Sequence, residues 1–494
     1  MDFAQATLTL LVLYMAVTIY IVYRGARQTK NIQDFAVGKG FSPTLVGLSL
    51  AASITSAATF IINPGFVAFF GWSAFLAMSV VLPIGLFISL VILSKSFRKF
   101  GTSVKALTLA QWMGTRYQSK AMSYFMAFVS LLLITFIVLI CVGLTKVIAS
   151  SLQADETLVL VAIVVFVFGY TLFGGANSMV YTNTIQAMLM IIVAIILISS
   201  GSSHFEQGIT GFWDKINAID PQLSKSFNPA SPLFRDFFEV VICNFIVGIA
   251  IVCQPHIITR SLLLKSDEDV NKYLTVAIVV ETLFFAVLFA GFYARLMFPD
   301  LTLDGSPIKM DGILSTYVVK KFSVGVGILV VLGLISAGLS TLEGIVQSLS
   351  TTISNDIIAP LGGWKDDTER VKTTNRLVIV GLAVVAILMS RYQLLYPNLS
   401  VGILAQNGVY AYFSAAFVPV LFGIFFKNTP VQAAMGAAIT AFVVHFSVYY
   451  GSLTPYTTGQ VKNPAVASAL AIVCALMVGS LLYQLYKKST VAQN

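Results

Sequence analysis

Charge is what this chain has least of. Only 10% of its 494 residues are Asp, Glu, Lys or Arg, while 57% are hydrophobic; soluble domains carry roughly a quarter charged residues. A water-soluble fold is thereby excluded. Cysteine is nearly absent too: Cys141, Cys243, Cys253 and Cys474 all fall inside apolar runs, which excludes an exported disulfide framework and offers no metal spacing. No glycine-rich phosphate loop and no nucleophile–base constellation is present, so an enzyme is not expected. Long polar/apolar alternation is also missing, and with it the signature of a transmembrane β-barrel. Finally, the first apolar run, from about Ala6, lacks a basic leader and a small-residue cleavage site, so it reads as a retained helix.

What remains is an all-α integral membrane protein. At about 20 apolar residues per spanning helix, the chain accommodates about thirteen transmembrane helices. Apolar runs lie near 5–25, 42–70, 73–96, 121–149, 156–173, 177–200, 237–260, 272–297, 323–353, 374–390, 401–426, 429–450 and 463–486. The net charge of +9 does not point to nucleic acid, because its distribution has another cause. Twenty of the 30 basic residues crowd alternate connections. They are Arg24, Arg27, Lys30 and Lys39; Lys95, Arg98, Lys99, Lys105, Arg116 and Lys120; Arg260, Lys265 and Lys272; Lys365, Arg370, Lys372 and Arg376; Lys427; and Lys487 and Lys488. The positive-inside rule then puts the N-terminus outside and the C-terminus in the cytoplasm of a cell membrane. An odd number of spans agrees. The remaining connections include two longer loops, near 201–236 and 298–322.

Two spans are unusual. The second contains "SLAASITSAATFIINPG", too small and polar for a helix facing lipid. The seventh contains "CNFIVGIAIVCQPHIITR", with Asn244, Gly248 and Pro255. With the first span set aside, these are the first and sixth core helices. Interrupted segments in matching positions of two halves point to an inverted-repeat transporter whose broken helices hold ions and substrate at mid-membrane. The division expected is an extra helix and linker (1–41), a first five-helix repeat (42–200), a second (201–426) and two C-terminal helices (427–494).

A further oddity is "SAGLSTLEG", residues 336–344, polar and acidic inside an apolar run. Na⁺ is a hard cation served by neutral oxygens. Ser340 and Thr341 follow Ala337 at i+3 and i+4 on one helix face, although the Ala337 carbonyl is free only if the helix is locally perturbed. In "AASITS" an unwound helix offers the carbonyls of Ala52 and Thr55. Alone, either stretch is equally well read as close helix packing with hydroxyls bonded back to the i−4 carbonyl.

Taken together the stretches resemble the sodium:solute symporters, of the LeuT-like 5+5 inverted-repeat fold, over essentially the whole chain. The resemblance rests on "NIQDFAVGKG", "SAATFIINPG", "GYTLFGGANSMVYTNTIQA", "CQPHIITRSLL", "SAGLST" and "LFGIFFKNTPVQAAMGA". It implies Na⁺ ligation by the backbone oxygens of Ala52, Thr55 and Ala337 and the hydroxyls of Ser340 and Thr341. It further implies Na⁺-coupled uptake of a small solute by alternating access, with a monomer sufficient. "QPHIITR" is similar to the proline, pantothenate and acetate branches, and "FIINPG" to the pantothenate branch; a small carboxylate or amino acid is the implied solute.

The chain departs from the family pattern in three places. Ile54 stands where the proline branch has aspartate. Asn183 replaces a common aspartate in "YTNTIQ". Glu343 and Gly344 replace the serines that hold a second sodium in some members. Glu343 lies three residues past Ser340, so it is expected to face the helix of Asn183, moving the acidic group from position 183 to 343 as a proton- or cation-binding group. A purely structural, hydrogen-bonded Glu343 stays open beside this.

Expected solute contacts are Ser53, Ser56, Gln406 and Asn407, with Val247 and Ile251 as an apolar wall. No mid-membrane arginine is apparent to meet a carboxylate. His256 and Arg260 read as a gate or lipid-interface contact, His445 as a packed or interfacial histidine, and Glu239 and Glu281 as residues within or near span ends that snorkel or pair with basic neighbours, with no role assigned. A proton-coupled transporter and a solute sensor on the same scaffold remain alternatives.

Overall fold

The computed structural model describes residues 3–27, 40–104, 106–264, 266, 268–364, 367–397, 400–426 and 428–491. Most of "NIQDFAVGKG", together with Lys30, Lys39, Lys105, Lys265, Lys365 and Lys427, lies outside the described residues, as do the side chains of Lys99, Lys487 and Lys488. Eleven described helices are long and apolar enough to cross a membrane, or up to thirteen spans if each of two bent pairs counts as one. In chain order they are α1 (Phe3–Ala26), the bent pair α2 (Pro43–Ile54) and α3 (Ala58–Phe70), α4 (Trp72–Arg98), α5 (Lys120–Leu152), α6 (Glu156–Ala176) and α7 (Ser178–Phe205). A second bent pair follows, α8 (Phe238–Ile251) and α9 (Pro255–Leu263), then α10 (Asp269–Met297), α11 (Val324–Leu361), α12 (Thr368–Leu395), α13 (Val401–Phe425), α14 (Val431–Gly451) and α15 (Pro464–Tyr486).

The two breaks have different causes. Between α8 and α9, Pro255 has no N–H and forces Gln254 out of the helical region, to φ −64°, ψ 134°; the axis turns by 59°. Between α2 and α3 there is no proline. There Thr55 is extended at φ −81°, ψ 94°, and the Ser56 hydroxyl accepts from the Ala58 amide at 3.0 Å, capping the start of α3. The axis turns by 54°. Hydroxyl side chains thus compete with the backbone ladder where a proline would otherwise be needed.

A third discontinuity separates α6 from α7. Gly175 sits at φ 66°, ψ −169°, a region essentially reserved for glycine. Gly175→Ala is expected to cost about 1–3 kcal/mol, seen as a lowered Tm of the detergent-solubilised protein. An unchanged Tm would show that the backbone relaxes there.

Around this frame α2 packs on α7, α10 and α11, and α8 on α4, α13 and α15. α13 is the most enclosed spanning helix, whereas α1 and α12 are peripheral. One end is fastened by arginines on helix-end carbonyls: Arg98 donates to Ser261 O (2.5 Å), and Arg116 to Gly423 O (2.7 Å) and Phe426 O (2.8 Å). At the other end, the two segments read as loops contain short helices, Gly208–Ile219 and Ile313–Lys321, and a two-residue hairpin pairing Thr302 with Pro307. They are too short to leave a spanning signal. Asp311, outside the spans, caps α13, accepting from Val401 N (2.9 Å) and Ser400 Oγ (2.5 Å); burial pushes its carboxyl up, against those bonds and Lys146 and Lys309. Trp72 meets Trp213 edge-on at 5.5 Å in an aromatic cluster with Phe75, Phe212 and Phe292.

Candidate functional site

Where α2 ends, its ladder closes with the Thr55 amide on Ala51 O at 3.0 Å. The next carbonyl, Ala52 O, instead accepts from Ser340 Oγ of α11 at 2.6 Å and lies 3.5 Å from Thr341 Oγ1. Thr341 Oγ1 donates to Ser53 O at 2.9 Å, and Ser340 Oγ is also 3.0 Å from Ala337 O. Three carbonyl oxygens therefore crowd two hydroxyls that have one proton each. All five residues are buried. Such a surplus of lone pairs suits a desolvated cation. The expected perturbation at Ala337 is not found: α11 runs unbroken, and the Ala337 carbonyl, having two lone pairs, meets Ser340 from within a regular helix. Thr55 turns its hydroxyl the other way, donating to Glu281 Oε2 of α10 at 2.6 Å.

Beside this cradle runs a buried polar network. Asn183 of α7 donates to Ser53 Oγ (2.9 Å) and Ser340 O (3.4 Å), while its Oδ1 has no partner among the described residues. Glu343 does face α7, but through Thr182 (2.8 Å) rather than Asn183, and it also accepts from Tyr170 of α6. The carboxylate thus fastens α11 to both sides of the Gly175 kink. Arg260 corrects the reading of it as a lipid-interface group and of the core as lacking an arginine. It is buried and donates to Ser49 Oγ at 3.0 Å, to Ser53 Oγ, and to His256 O at 3.2 Å. The 59° turn before α9 swings it inward, and a helical side chain leans toward its own N-terminus. Glu239 forms a close pair with Arg235 at 2.7 Å, and His445 is buried on Asn407 at 3.0 Å.

A cavity of about 100 Å³ lies between the two breaks, α4, α5 and α13. Its wall includes Ile54, Ser56, Thr59, Asn63, Phe136, Ile251, Gln254, His256, Gln406 and Tyr410, and among the described residues no Asp, Glu, Lys or Arg. Of the expected solute contacts, Ser56, Ile251 and Gln406 line it. Ser53, Val247 and Asn407 do not. Ser53 is spent on the cradle and Arg260, and Asn407, one step around α13 from Gln406, bonds Tyr450 (3.1 Å) and His445. Val247 is a buried packing residue one turn from the α8 break. Asn63, Gln254 and Tyr410 line the same cavity without having been singled out, and so does His256, read above as a gate or lipid-interface contact. The signal was available in "QPH", since residues flanking a helix break face the space it opens. Gln254 Oε1 and His256 Nδ1 are buried without partners among the described residues, as groups awaiting a ligand often are. A smaller cavity of about 30 Å³ adjoins, lined by Thr108, His256, Arg260, Gln347 and Thr351, so His256 stands in both walls. No cluster of three His, Cys, Asp or Glu occurs among the described residues.

Comparison with known proteins places the geometry in context. The sodium:solute symporter family, as a profile, matches residues 35–441. The sodium/pantothenate symporter of Escherichia coli (strain K12) is 25% identical over 485 residues, covering 95% of this chain and 94% of its own. The monocarboxylic acid transporter of Corynebacterium glutamicum is 22% identical over 525 residues, covering 96% and 91%. Among solved structures, a substrate-bound, outward-open Na⁺-coupled sialic acid symporter superposes with a TM-score of 0.76 at 18% identity, over 97% of this chain and 98% of that one. At that identity the likeness is one of fold.

Proposed function

The chain belongs to the sodium:solute symporter family, and we propose from that premise that it couples Na⁺ entry to uptake of a small organic carboxylate or amino acid by alternating access. The single observation that carries this reading is the cradle: Ala52 O at the α2 break, held 2.6 Å from Ser340 Oγ. Na⁺ is ligated by the backbone oxygens of Ala52, Thr55 and Ala337 and the hydroxyls of Ser340 and Thr341. Ile54 and Ser56, in the same broken turn, form part of the solute wall. An ion that draws α2 onto α11 therefore also shapes the solute cavity, and a ligand shifts only an equilibrium whose states it binds unequally. Coupling follows from that shared segment.

A wall of neutral hydrogen-bonding groups with apolar flanks suits a compact carboxylate with an alkyl body. The pantothenate and monocarboxylate relatives support that class, while the branch motifs keep amino acids within it. Asn183 holds the cradle in place, and Glu343 tunes coupling as a cation- or proton-binding group beside it. The repeats comprise 42–200 and 201–426, the N-terminus faces outward and the C-terminus the cytoplasm, and one chain suffices.

The test is uptake into proteoliposomes of pantothenate, monocarboxylates and amino acids, with Na⁺ replaced by K⁺ at fixed pH. At least one solute is expected to lose about tenfold or more of its initial rate without Na⁺, a modest coupling free energy. Uptake driven by a pH gradient alone, indifferent to Na⁺, would replace this reading with proton symport.

A further inference from the structure

Glu281 lies on α10 with no exposed surface. One carboxylate oxygen accepts from Thr55 Oγ1; the other, Oε1, is buried with no partner, and no ion pair among the described residues includes this residue. A lone buried carboxylate is costly unless something cationic or a proton neutralises it. A proton on Oε2 meets the Thr55 hydroxyl, which can accept as well as donate, but it leaves Oε1 without a partner among the described residues. What Oε1 does have is free lone pairs. Thr55 sits in the extended turn that interrupts α2, so its hydroxyl oxygen and the released backbone oxygens of that turn can join the carboxylate around a small hard cation.

Resting on the symport reading above, we propose that Glu281 and Thr55 form a second Na⁺ site, on the opposite side of the first broken helix from the Ser340–Thr341 cradle. The two ions would share one short segment, residues 52–55. Ordering that segment for one ion lowers the cost of binding the other, so they bind cooperatively. Phe285, one turn beyond Glu281, and Ser56, which follows Thr55, line the solute cavity, so the second ion would lie behind that wall.

The experiment is equilibrium binding of radioactive Na⁺ to the purified full-length protein, which needs no knowledge of the solute. Two distinct ion sites predict about two Na⁺ per chain in the wild type, about one in Glu281→Gln, about one in Ser340→Ala/Thr341→Ala, and none in the triple variant. Cooperativity predicts that the wild-type Hill coefficient exceeds one and falls to one in Glu281→Gln. Glu281→Gln keeps the shape and a hydrogen-bond acceptor for Thr55, so it separates charge from packing. Two ions bound to Glu281→Gln, or one to the wild type, would overturn the second site and leave the symport reading intact. No Na⁺ bound to the wild type would overturn both.

Discussion

Replacing Ser340 and Thr341 together by alanine is expected to raise the Na⁺ concentration for half-maximal uptake by two to four orders of magnitude. Each hydroxyl meets the ion as a neutral dipole, and an interaction of that kind with a charged group contributes about 1.5–3 kcal/mol. Two lost ligands therefore amount to roughly 3–6 kcal/mol, at about 1.4 kcal/mol per tenfold. The same hydroxyls bond Ala52 O and Ser53 O across the α2–α11 interface, so some of the loss comes from weaker docking of the broken turn. Thr341→Ser separates the contributions: it keeps the oxygen and drops a methyl group, and should shift Na⁺ dependence by less than about tenfold. The measurement is initial uptake against Na⁺ concentration in proteoliposomes. A double-alanine protein with wild-type Na⁺ dependence would remove these residues from the ion site.

Arg260→Ala is expected to have the second large effect, on the conformational equilibrium rather than on ion affinity. The guanidinium ties α9 to Ser49 and Ser53 of α2, joining one half of each broken helix. Two charge-assisted hydrogen bonds contribute about 3–6 kcal/mol between them, enough to move a two-state population by two orders of magnitude or more. Without them α2 separates from α9, and the small cavity beside Arg260 opens. A cysteine placed at Thr351, in the wall of that cavity, should then react with a water-soluble maleimide at least about tenfold faster in a background lacking the four native cysteines. Arg260→Lys retains the charge but not the planar fork and should fall between. Equal labelling rates in all three proteins would show that Arg260 is no clamp.

Much of this was legible beforehand, and the reasons differ by residue. Pro255 announces the second break because a missing N–H and a steric clash are local effects. The first break was legible from the density of hydroxyls in "AASITS", another local effect. That 340 and 341 share a face follows from helical spacing, whereas their pairing with 52 was implied by the family resemblance. Direction across a bend is different. The inward swing of Arg260 depends on a 59° turn, an angle the residues at the break do not encode by themselves. Asn407 and Gln406 differ by one step around α13, so placing one at the solute wall removes the other. Glu343 faces the helix of Asn183 as helical spacing indicates, but which residues of that helix and of α6 it reaches, Thr182 and Tyr170, depends on phase between helices. The burial of Glu281 was invisible for a further reason: an acidic residue near a span end reads as reaching for water or a basic neighbour until its surroundings are known.

The edge-on pair of Trp72 and Trp213 has a consequence for how this protein can be watched. These are two of its four tryptophans, and Trp72 follows α3 directly, across Gly71. Any shift of the α3–α4 corner against the helix Gly208–Ile219 alters the distance and angle between two indoles that now stand 5.5 Å apart and nearly perpendicular. Half of the chain's tryptophans thus stand beside the corner that follows the first broken helix, giving the molecule an optical gauge of that region that requires no attached dye.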